Sequence, residues 1–209
     1  MSRVRLQDVF LNKVKEYKYL ETYVEEGGEL DREIEKKVQA GWCKWREASA
    51  VLCDKRMPLK LKGKYYTTAV RPVMTYSAEC WAIKQSHEQK LHVAEMKMLR
   101  MMCGVTRRDR LKNEYVRASV NVDSIVDKLA QSRLRWFGHL YRKGEQDVIK
   151  KVWGWDREVK LSRGRLEQTW DRVVKKDMQR RGLKQEWAQD RGEWRSAIHI
   201  PTLVKQGDR

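Results

Sequence analysis

From Leu30 onward the apolar residues recur every three or four positions, and this period constrains the fold more than any other feature of the chain. Leu30, Ile34, Val38, Trp42, Trp45, Ser49 and Leu52 place one stripe along about six turns of a predicted helix. Glu29 or Asp31 suits its start, where negative charge meets the positive end of the helix dipole. Gly41 within it is expected to allow close packing beside the two Trp side chains. A second helix is predicted from Pro58, a residue pre-shaped for a first helical position, through Lys60, Lys64 and Thr67 toward Arg71. Pro72 is expected to kink or end it.

The same period continues along the chain. A third helix is predicted from Ser86, with Leu91, Ala94, Met98 and Met101 inward and Gly104 as its left-handed stop. A fourth runs from Asn121 or Asp123 to Lys143 and ends at Gly144. The pattern lapses from Lys150 to Gly164, which reads as a loop. A fifth helix spans Leu166 to Arg181, stopped by Gly182, and a sixth spans about Glu186 to His199. Only the first 30 residues differ. Val14 to Val24 alternates Tyr17, Tyr19 and Tyr23 with Lys18, Leu20 and Thr22, as a strand or small hairpin would, and Glu25-Glu26-Gly27-Gly28 supplies turn chemistry. The expected fold is therefore mainly α, a multi-helix bundle with a short β-strand or hairpin at the N-terminus. It divides into a β element at 1–28, a helical unit at 29–118 and a C-terminal helical unit at 119–209 with a loop near 150–165.

Charge narrows the function. The chain carries a formal charge of +17, distributed as zero over 1–50, +9 over 51–118 and +8 over 119–209. Such a surplus attracts polyanions, of which nucleic acid is the first choice and an acidic membrane surface or a ribosome the next. No apolar run reaches the ~20 residues of a membrane helix, and MSRVRLQDVF lacks the apolar stretch of a signal peptide. A soluble intracellular protein is expected, in nucleus or cytoplasm alike.

Cys43, Cys53, Cys80 and Cys103 form no CxxC pair, and His87 and His92 between the last two complete no zinc spacing. Cys43 and Cys103 are expected to act as small buried hydrophobes. Clustered carboxylates for metal-dependent phosphoryl transfer are missing, as are phosphate-binding glycine loops and a GxSxG elbow. Neither catalytic residues, a metal nor a cofactor is implied.

The basic segments are the candidates. Lys60, Lys62, Lys64 and Arg71 surround Tyr65 and Tyr66; the lysines suit a phosphate backbone and the tyrosines suit stacking on bases, unless both rings are core. Arg107, Arg108 and Arg110 follow the Gly104 stop, in a loop where guanidinium groups are free to meet phosphate. Arg163 and Arg165 flank a glycine ahead of a helix start. In RLRWFGHLYRK, Trp136, Phe137 and His139 read as structural rather than base-stacking.

EYKYLETYV, the run from Leu30 to Ile83, AEMKMLRMMCGVTRRDRLKNEYVR, RLRWFGHLYRK and SRGRLEQTWDRVVKKDMQRRGL follow one another in an order that resembles the region after the polymerase palm in LINE-type (non-LTR) retrotransposon reverse transcriptases. The resemblance spans about residues 14–200. It implies a thumb and C-terminal region of an RNA-directed DNA polymerase. The palm aspartates, including an aromatic-x-Asp-Asp motif, have no counterpart here. Glu21 stands where the family usually has Gly, and Leu166 where it usually has Pro. The chain thus resembles a fragment that binds DNA or RNA through phosphate contacts, with low sequence specificity, and is not itself an enzyme. A helical protein–protein interaction module is the alternative, as is part of an active enzyme whose longer product supplies the palm.

Overall fold

The stripe that begins at Leu30 forms α1 (Asp31–Glu47), with Asp31 and Glu33 in its first turn and Lys44 and Arg46 in its last, each on the side the helix dipole favours. The computed structural model describes residues 5–6, 9–10, 12, 14–19, 22–25, 30–153 and 168–199. The predicted six-turn helix is broken at Ala48, after which one turn, α2 (Ser49–Leu52), carries Leu52 into the core. Ahead of α1 stand two antiparallel pairs, β1 (Arg5–Leu6) with β2 (Val9–Phe10), and β3 (Glu16–Tyr19) with β4 (Thr22–Glu25). The second pair matches Tyr19 with Thr22, so the alternating stretch is a hairpin. It is tied to α1 by Tyr23 N–H on Glu33 (3.0 Å) and by Lys36 on Glu16 (2.6 Å).

α3 (Leu59–Tyr65) starts after Pro58, as its sequence predicts, but Pro72 neither ends nor interrupts the helix it was expected to break. A π-helical segment, Tyr66–Val70, widens the turn first, and α4 (Arg71–Thr75) then holds Pro72 in its opening turn, where a missing N–H costs little. Gly41 of α1 allows close approach, as expected, but to another neighbour. A Cβ there would lie 2.4 Å from Met74 Cγ on α4, so it is Met74 and not a Trp that needs the space.

α5 (Gln85–Cys103) is the longest helix among the described residues and ends on Gly104 in the left-handed conformation (φ +67°). Next comes α6 (Asn113–Val120), a helix the apolar period did not mark, closed by Asn121 at φ +54°. α7 (Ile125–Tyr141) follows; the short α8 (Val148–Trp153) occupies part of the predicted loop. It is held by Trp153, whose ring meets Phe137 and Trp170 edge-on and whose indole N–H donates to Asp171 (2.7 Å). α9 (Trp170–Arg180) is capped by Thr169 and followed by Gly182 at φ +63°. A 3₁₀ turn (Gln185–Gln189) and α10 (Arg191–Ala197), capped by Asp190, replace the single sixth helix.

The described residues are thus predominantly helical, with strand confined to the two N-terminal pairs. Two apolar clusters lie along the chain. The first joins Ile34, Leu52, Tyr66, Leu91, Met98 and Val120 with their neighbours, and the second joins Leu134, Phe137, Val174, Met178 and Trp194. α7 belongs to both, giving Ile125 and Leu129 to the first and Leu134 and Phe137 to the second. Where they meet, fully buried Arg133 donates Nε–H to Asp177 of α9 (2.9 Å) and sets its guanidinium 3.5 Å from Glu88 of α5. Trp170 donates to Glu79 O (2.7 Å) across the same boundary. Cys43 is exposed, so the expectation of a buried hydrophobe fails there: it falls on the outer face of α1, between the Trp42 and Trp45 positions that turn inward, while Cys103 is half-buried and packs against the first cluster.

Candidate functional site

The three lysines of α3 divide by helical angle. Lys60 and Lys64 are four residues apart and share a face. Both are exposed, and neither has a carboxylate partner. Lys62 points the other way, is 3% exposed, and donates Nζ–H to Met102 O (3.0 Å). That carbonyl is one of the orphan acceptors at the end of α5, where a cation also meets the negative end of the dipole. The Lys62 expectation is therefore corrected: buried and bonded, it cannot reach a phosphate, and it anchors α3 to the end of α5. Gly63 completes the anchor, its Cα so close to α6 that a Cβ would sit 1.8 Å from Val120 O.

Arg71 needs the same correction. A regular helix would carry it round to the Lys60–Lys64 face. The π segment adds a residue to one turn, and Arg71 rotates into the core at 6% exposure. Its guanidinium binds Glu95 Oε1 (2.8 Å) and Asp123 O, and lies 5.3 Å from the Tyr66 ring centroid. Glu95 is fully buried and also accepts from Tyr66 OH (3.2 Å), Arg117 (3.3 Å) and Ile125 N–H (2.9 Å). Burial, then the Glu95 charge, pushes the Tyr66 phenol well above its usual range, so it remains a donor. The hub ties α4, α5, α6 and α7 together. It is structural. Of the two adjacent tyrosines, Tyr66 is core, while Tyr65 lies half-buried against the first cluster with one side open to solvent.

The basic loop is built by its one acid. Asp109 Oδ2 accepts from Thr106 N–H (2.6 Å) and Thr106 Oγ1–H (3.0 Å), bonds that hold its carboxyl below the usual carboxylate range. The carboxylate thus folds the turn and leaves Arg107, Arg108 and Arg110 exposed and unpaired. Lys112, which the sequence did not single out, is exposed beside them at the start of α6. Because Lys62 clamps α3 to Met102, and the loop leaves α5 two residues later at Gly104, the lysine face and the arginine loop are fixed at one end of α5. Arg163 and Arg165 lie outside the described residues.

Among the described residues, no group of three or more His, Cys, Asp or Glu side chains is placed to hold a metal ion. Burial raises the Cys103 thiol above its ordinary pKa, so it is not an activated nucleophile. His139 is exposed and stacks on Trp136 (5.3 Å between centroids). No helix among the described residues is long and apolar enough to cross a membrane.

The chain is similar to a transposon-derived protein. That relative, from Caenorhabditis elegans, is 26% identical over 208 residues, covering 92% of this chain and 73% of its own length. The similarity supports a transposon-derived origin. No family profile and no solved structure matches the chain.

Proposed function

We propose that the chain is a nucleic-acid-binding segment derived from a retrotransposon RNA-directed DNA polymerase, corresponding to its thumb and C-terminal region. The observation that carries the reading is the set Lys60, Lys64, Arg107, Arg108 and Arg110: five exposed cations, none neutralised by a carboxylate, on two elements clamped to the same end of α5. Such a set tracks a phosphate backbone and reads no base edges, as a polymerase thumb requires. Similarity to a transposon-derived protein, and the ordered resemblance of segments over about residues 14–200, favour this origin over that of a generic basic surface.

Binding to a fluorescent DNA or RNA duplex, followed by anisotropy across a salt series, tests the reading. Five phosphate contacts predict a slope of log K against log salt near −4 to −5, at about −0.9 per contact. Replacing the five cations by Ala should abolish most of that slope and weaken all sequences alike. The control replaces five exposed cations elsewhere, Lys175, Lys176, Lys184, Arg191 and Arg195, and should retain it. Equal losses in both variants, or no binding by the wild type at low salt, would overturn the proposal.

A further inference from the structure

Along one face of α5 two adjoining hollows form one groove. The first, about 820 Å³, lies between α1 and α5, with Val38, Trp42, Val93 and Ala94 in its walls. The second, about 760 Å³, continues past Met96 and Met101 to Val105. Gln89, Val93 and Lys97 line both. From Ser86 to Met101 the groove is roughly 22 Å long at 1.5 Å per residue, about four helical turns.

Its floor is aliphatic and open. Val93, mid-way along α5, is 53% exposed and Met101, in its last turn, 43%, while the other face of the helix is core. Its rim is cationic. Arg46 and Lys97 have no carboxylate partner, Lys97 Nζ hangs 5.5 Å from the Trp42 ring centroid, and Arg107 stands at the far end. Arg100 is held in place by Leu111 O (3.1 Å) and Asn113 Oδ1 (2.8 Å). The one carboxylate among the described lining residues, Glu35, is neutralised by Lys90 at 2.9 Å.

An exposed apolar strip framed by polar groups marks an interaction site. We propose that this groove docks an amphipathic helix of a protein partner, with an apolar stripe facing Val93 and Met101 and acidic residues on its flanks. The charge complementarity selects an anionic partner. The aliphatic floor then selects a peptide over a nucleic acid, because phosphates satisfy the rim but leave Val38, Val93, Met101 and Val105 in water. A helix with apolar side chains at three- and four-residue spacing covers them while its carboxylates meet Arg46, Lys97 and Arg107. Met101 adds an adaptable contact of the kind that helix-binding surfaces use.

The test is titration of the full chain against a fluorescein-labelled helical peptide of about 15 residues, long enough to fill the groove, with a Leu stripe and Glu flanks. The same peptide with Ser for Leu, and a single-stranded DNA oligonucleotide, serve as comparisons. Val93→Glu, at an exposed position, should weaken the Leu peptide by about tenfold or more while leaving the helical circular dichroism unchanged. Lys97→Glu should weaken it too, and exchanging flank Glu for Lys in the peptide should recover the loss. Equal affinity for the Ser and Leu peptides would overturn the proposal, since charge alone would then explain binding. So would a Val93→Glu variant that loses DNA and keeps the peptide. Val93 lies outside the five-cation set, so this result stands apart from duplex binding.

Discussion

His92 lies half-buried on α5 with an Arg117 nitrogen 3.0 Å from its Nδ1. Arginine can only donate, so Nδ1 must be the bare nitrogen of a neutral ring. Burial, then repulsion from Arg117, lowers the His92 pKa below its ordinary 6.5. The unfolded chain takes up this proton at about pH 6.5 while the native state refuses it until a lower pH. Stability should therefore fall as pH drops from 6.5 through the folded-state pKa, and level off below that. Urea midpoints measured between about pH 7.5 and 5 should show this slope, and His92→Gln, which keeps an acceptor, should flatten it. A slope unchanged in the variant would assign the effect elsewhere. Lys62 and Arg71 show why single residues were only partly legible. Their charge is plain in the sequence, but what satisfies it is a carbonyl 40 residues away in one case and a carboxylate 24 residues away in the other. Lys60 and Lys64, which have no such partner, stay on the surface where local spacing places them.

At the scale of elements, most helices followed from period and caps, because each buries one stripe and the spacing of that stripe is local. The exceptions have identifiable causes. α6 is short, and one of its inward residues is Arg117, whose burial depends on Glu95, so no apolar stripe announces it. The π turn before Pro72 leaves no compositional mark. Close approach between helices was equally hidden, and it makes two glycines unequal. A Cβ at Gly63 would meet backbone, Val120 O at 1.8 Å, whereas at Gly41 it would meet a side chain, Met74 Cγ at 2.4 Å. Gly63→Ala should therefore cost at least the 1–3 kcal/mol typical of overpacking, by prising α3 from α6. Gly41→Ala should cost less, because the clash is with a side chain rather than backbone and Ala gains roughly 1 kcal/mol of helix propensity. Thermal melts of both variants decide this; equal losses would contradict the anchoring of α3.

For the whole molecule, α7 is the shared beam, with four of its side chains divided between two cores and Arg133 held across their meeting line. The two clusters should consequently unfold together. Far-UV circular dichroism and Trp fluorescence, which samples both cores through Trp45, Trp81 and Trp194, should give coincident urea transitions. Two separated steps would show that the Arg133 and Trp170 contacts do not couple the cores. That one helix serves both cores is not legible in the sequence, since membership is settled by contacts between distant segments. The Arg133 pair has a further consequence during synthesis. Asp177 lies 44 residues downstream of Arg133, a delay of roughly 2–9 s at about 5–20 residues per second on the ribosome. Until it emerges, a cation destined for full burial faces only Glu88, so the meeting line between the two cores stays incomplete. A message cut short between those codons would deprive that cation of its nearer carboxylate, 2.8 Å away in the complete fold, and leave it Glu88 alone at 3.5 Å.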